Sequence, residues 1–86
     1  MSRWQVPGID PATEVYLGWD RSLATYFAQA YDRREPVHRQ ILLWVGTRFQ
    51  EILTIDDLAC AMRDVAILHP ETRRMLYRDR DLEQAR

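Results

Sequence analysis

The sequence predicts an α+β domain: a small three-stranded antiparallel sheet, in β-β-β-α-α order, packed against one amphipathic helix and followed by a second, C-terminal helix. Three observations carry that expectation. Residues 14–19 alternate with period two, Ile41–Val45 form a short apolar run, and apolar side chains recur at helical spacing from Ile55 onward. Residues 1–13 read as an N-terminal arm and residues 14–86 as the single domain.

The arm contains Pro7-Gly8 and Asp10-Pro11, which redirect the backbone and interrupt any periodic face. Trp4 is its one large ring, and it either tucks onto the body or stays available to a partner. In 14–19, Val15, Leu17 and Trp19 alternate with Glu14, Tyr16 and Gly18, as in a strand with one buried face. Asp20-Arg21-Ser22 then supplies turn-forming side chains. Residues 22–31 satisfy two periods. As a helix, Leu23, Tyr26, Phe27, Ala30 and Tyr31 make a stripe; as a strand, Thr25, Phe27, Gln29 and Tyr31 alternate with Ala24, Tyr26, Ala28 and Ala30. We read 24–31 as the strand, because it lies close enough in sequence to pair antiparallel with the first.

Residues 32–39 are polar and contain Pro36, so they form a loop. The run Ile41-Leu42-Leu43-Trp44-Val45, bounded by polar residues, predicts a strand over 40–46 that is covered on both faces and therefore central. Thr54 is placed to cap a helix over 55–68, with Asp56 and Asp57 in its positive first turn. Its apolar stripe is Ile55, Leu58, Ala59, Met62, Val65 and Ala66. Cys60 and Ile67 project from the other side of that helix: either the next helix folds back over them or they meet another chain. Pro70 and Glu71 suit the first turn of a helix over 70–84, whose charged end is solvated. The expected core is Leu17, Phe27, Ile41, Leu43, Val45, Ile55, Leu58, Met62 and Val65.

Composition excludes several function classes. The chain has 86 residues, 12 basic and 13 acidic side chains and a net charge of −1, which argues against a general polyanion binder. A domain this small buries only about 60–65% of its unfolded surface and leaves little room for a deep catalytic cavity. No uninterrupted apolar stretch exceeds five residues, against the roughly 20 that span a bilayer. The first residues lack the apolar block of a secretory signal, and the single Cys60 admits no internal disulfide, so a cytoplasmic location is expected. Every basic residue is Arg, which suits a small bacterial protein from a GC-rich genome more than it indicates a function. The near-neutral total conceals two patches, with a net of +3 over 33–48 and −3 over 49–68.

Catalytic motifs are missing. Three scattered glycines make no phosphate-cradling loop, and no Gly-x-Ser-x-Gly elbow occurs. Cys60 lies mid-helix and is expected to be buried or half-buried packing. Asp56 and Asp57 point about 100° apart on a helix, which suits capping rather than convergence on one atom. With Cys60, His38 and His69 as the only soft or imidazole ligands, no metal and no cofactor is expected.

What remains is recognition. Large rings are numerous for so small a core, and aromatics with Arg are enriched at interface hot spots. The expectation is a non-enzymatic protein-interaction or regulatory accessory module that homodimerises or binds a larger protein. It would act through exposed aromatics, a basic loop and an acidic helix, at Trp4, Arg33, Arg34, Arg39, Cys60, Ile67 and Tyr77. The alternative is a nucleic-acid-binding regulator in which Arg33, Arg34 and Arg39 act beside aromatic contacts. No membrane and no small-molecule substrate is indicated.

Overall fold

In a computed structural model the chain folds as a four-stranded antiparallel sheet with two helices; residues 2–36 and 41–84 are described. The strands are β1 (Trp4–Pro7), β2 (Thr13–Asp20), β3 (Thr25–Asp32) and β4 (Ile41–Val45), and the helices are α1 (Ile55–Met62) and α2 (Pro70–Gln84). The sheet is a meander in the order β1-β2-β3-β4.

The expected sheet of three strands is therefore wrong by one. The fourth comes from the segment read as an arm, where Trp4 pairs with Leu17 and Val6 with Val15. Only four residues take part, and Pro7 ends the strand. That is too short for a period-two signal, and Pro is tolerated because β1 is an edge. Residues 22–31 contain a strand, not the alternative helix. β3 pairs along its whole length with β2, from Thr13↔Asp32 to Asp20↔Thr25.

The pleat sorts the side chains. On one face Trp4, Val6, Val15, Leu17, Trp19, Tyr26, Ala28, Ala30, Leu43 and Val45 meet Ile55, Leu58 and Met62 of α1 and Leu76 of α2 in one apolar cluster. Ala28 and Ala30 are fully buried, and α1 packs on β3, where small side chains let it come close. α2 packs on β2, and its Arg80 guanidinium lies over the Trp19 ring, 5.4 Å from the centroid, while donating to the Leu53 carbonyl at 3.1 Å.

The run Ile41–Val45 is not central. β4 pairs with β3 alone, and Ile41, Leu42 and Trp44 are each about half exposed (51%, 49% and 52%). Ile41 thus leaves the expected core. Leu43 and Val45 remain, half-buried against it, opposite Ala30 and Ala28. Phe27 is buried, but it belongs to the other face of the sheet. A register shift between Ala30 and Tyr31 bulges β4 at its start.

The helix expected over 55–68 stops at Met62. Thr54 caps it as expected, its hydroxyl accepting from the Asp57 N–H at 3.1 Å. After Met62 the chain turns: the Val65 and Ala66 N–H groups both donate to the Met62 carbonyl, at 2.9 and 3.0 Å, and the Val65 carbonyl accepts from the Ile9 N–H at 2.9 Å. Ala66 and Leu68 are still buried, now from an irregular connection. Helix α2 occupies the expected 70–84 span.

Candidate interaction surface

Both helices lie on the inner face just described, which leaves the opposite face to the side chains pointing the other way. These are Gln5 and Pro7 of β1, Glu14, Tyr16 and Gly18 of β2, Phe27, Gln29 and Tyr31 of β3, and Trp44 of β4. Tyr16 and Tyr31 meet edge to face at 6.3 Å, and the Arg3 guanidinium sits 4.4 Å above the Tyr16 ring. Their hydroxyls are oriented by local partners, Tyr16 donating to Glu14 at 3.5 Å and Tyr31 to Gln29 at 3.2 Å.

One end of this face is closed by backbone. The Ser2 N–H donates to the Trp19 carbonyl at 3.0 Å, and its hydroxyl accepts from the Trp19 N–H at 2.9 Å. The Ser2 carbonyl then passes so near Gly18 that a Cβ there would sit 2.0 Å away, so only glycine fits. Beside it a recess of about 280 Å³ opens between Arg3, Asp20, Phe27, Gln29, Trp44 and Thr47. A second, of about 370 Å³, lies toward the β1–β2 loop between Gln5, Pro7, Gly8, Pro11, Glu14 and Arg33.

The chain after β4 is pinned. Gly46 adopts φ +81°, and a Cβ on it would lie 2.2 Å from the Tyr26 carbonyl. The Glu51 carboxylate accepts from the N–H groups of Gly46 (2.9 Å) and Thr47 (3.2 Å), and these bonds hold its carboxyl below the usual range. The buried Thr25 hydroxyl accepts from the Ile52 N–H at 2.7 Å and lies 3.1 Å from the Ile52 carbonyl. Phe49 stands 68% exposed on this pinned turn.

The residues expected to act as a contact set are scattered. Trp4 is tucked: it is half-buried and its indole N–H donates to Asp79. Arg33 donates to the Pro11 carbonyl at 2.8 Å and pairs with Glu14 at 3.6 Å. Arg34 pairs with Asp10 at 2.9 Å and with Asp32 at 3.1 Å. Hydrogen bonding from the Arg34 side chain, then from its backbone N–H, holds the Asp32 carboxyl below its ordinary value. The two arginines therefore fasten the β1–β2 loop to the end of β3. Arg39 and His38 lie outside the described residues.

Cys60 is exposed rather than packed away, and Ile67 is 64% exposed on the connection after α1 rather than on the helix itself. Helix α2 does not cover them. Tyr77 is 52% exposed on α2. Asp56 pairs with Arg73 at 2.9 Å, and no group of three metal-ligating side chains stands together among the described residues. No helix among the described residues is long and apolar enough to cross a membrane.

The residues that sequence reasoning missed are Ile41, read as core, Leu42 and Trp44, read as part of a strand covered on both faces, and Phe49, read as a connector. One signal was available: in a meander the last strand is necessarily an edge, whatever its composition. No protein-family model matches the chain, and neither a curated protein nor a solved structure matches it significantly.

Proposed function

We propose that the chain is a non-enzymatic protein-interaction module that binds through the uncovered sheet face and its β4 rim. The observation that carries this reading is the contrast between the two faces. The inner one is sealed by both helices, whereas the outer one ends at Ile41, Leu42 and Trp44, three large apolar side chains about half exposed on one strand. Exposed apolar groups clustered on a rigid element are what interfaces desolvate, and an exposed Trp is the strongest single anchor type. The Arg33–Arg34 turn belongs to the scaffold of this module, since its guanidiniums are engaged within the chain. A cytoplasmic, accessory or regulatory role is part of the same proposal and rests on size and on the single cysteine.

The test is affinity capture of the tagged chain with and without nuclease, comparing wild type with Trp44→Lys and with Arg33→Glu/Arg34→Glu. A stoichiometric protein partner that survives nuclease and is lost with Trp44→Lys is the expected result. Recovery of nucleic acid alone, lost with nuclease and with the arginine reversal, overturns the reading in favour of a nucleic-acid-binding regulator.

A further inference from the structure

The two edges of the sheet are built differently. β1 offers four residues, alternately exposed at Gln5 and Pro7, and Pro7 has no N–H to give to a ladder. β4 offers Ile41-Leu42-Leu43-Trp44-Val45, with no charge, no polar side chain and no proline. Edge strands are ordinarily protected from pairing by charges, proline or a bulge, and β4 carries only the bulge at its start. Among the described residues, its outward N–H and C=O groups face no other strand of this sheet.

We propose that β4 pairs antiparallel with β4 of a second copy across a two-fold axis, joining two four-stranded sheets into one of eight strands. The proposal rests on the reading of this rim as an interaction surface and names its occupant. Three arguments select a second copy. An uncharged strand can oppose itself without placing like charges in register, and the chain's net charge of −1 adds little long-range repulsion. Centred on Leu43, the pairing sets Leu42 across from Trp44 of the second copy, so these two half-exposed side chains cover one another, while Ile41 lies across from Val45. Finally, because β1 is blunted by Pro7, the one unprotected edge among the described strands is consumed in the pair, so assembly closes at two and does not run on as a fibre.

The area involved fixes the strength. Ile41, Leu42 and Trp44 with their free backbone edge offer on the order of 300–400 Å² per copy, which falls in the weak class of interface below about 1,200 Å² in total. Half-dimerisation is therefore expected between about 10 and about 500 µM.

Sedimentation velocity on the untagged chain from about 5 to about 500 µM, against Leu42→Lys and Trp44→Lys, tests this. Wild type should pass from 10.3 kDa toward twice that mass, and both variants, folded by circular dichroism, should stay at 10.3 kDa. A wild type that remains monomeric throughout overturns the proposal, as does self-association that survives both lysines. Should a variant fail to fold, hydrogen exchange decides on wild type alone: β4 amides must exchange more slowly in the concentrated sample, and unchanged exchange overturns the pairing. The two readings fail separately. A monomeric wild type whose protein partner is still lost with Trp44→Lys removes the second copy but leaves the interaction surface standing.

Discussion

The indole N–H of Trp4 donates to the carboxylate of Asp79, a residue 75 positions further along the chain, and so fastens the first strand to the last helix. Asp79 is only 9% exposed. Replacing Trp4 with Phe keeps most of the ring but strands a largely buried carboxylate. We expect a loss of about 1–3 kcal/mol, measured by urea unfolding, with Asp79→Asn costing less because the amide oxygen still accepts.

Glu51 gives a pH signature. Its carboxyl, held low by the Gly46 and then the Thr47 N–H groups, titrates below its ordinary value of 4.5 in the folded chain and near that value when unfolded. Between the two the unfolded chain binds more protons, so this stabilisation is complete above about 4.5 and is lost as pH falls through the folded value. Glu51→Gln should be less stable than wild type at neutral pH, with the difference shrinking as pH falls below the ordinary carboxylate value in parallel urea titrations. A difference that stays constant with pH contradicts the assignment.

Gly46 combines a left-handed φ with a backbone contact that excludes any Cβ. Gly46→Ala should cost about 2–4 kcal/mol, and hydrogen exchange should show the loss concentrated in β4 and the following turn.

Leu58 is fully buried at the centre of the α1 stripe. Leu58→Asp places an unpaired carboxylate in that cluster and should abolish the cooperative melt, whereas Leu58→Ala should lower stability by about 2–5 kcal/mol.

Cys60 is exposed and sits outside the core. A thiol reagent should modify it in native buffer without unfolding, at a rate close to that in denaturant. Protection by more than about tenfold would place it in a covered position instead.

The inner face was largely legible from sequence, and the outer face was not. Val15, Leu17 and Trp19 alternate over a long strand, and Ile55, Leu58 and Met62 recur with a capped start, so period and cap agree with burial. β1 was missed because four residues ending in proline carry almost no periodic information. β4 was misplaced for a different reason: an apolar run reports that side chains avoid water somewhere, not which chain covers them. The same ambiguity hid Phe49. Helix α1 was drawn too long because its apolar stripe runs on through Val65 and Ala66, where the chain instead turns on the Met62 carbonyl and Val65 bonds to Ile9, a tertiary contact no local propensity records. Arg33 and Arg34 looked available because, apart from the local Asp32, their partners Pro11, Asp10 and Glu14 lie roughly twenty positions earlier in the chain.

The clasp between Trp4 and Asp79 also bears on how the chain is made. Synthesis delivers β1 first, yet the carboxylate that receives its indole arrives with α2, after the whole meander. Hairpins between neighbouring strands can close early because they are local, but Trp4 waits for its partner. Folding of this domain on the ribosome should therefore finish only once α2 has emerged, leaving β1 the last strand to become secure although it is the first to leave the tunnel.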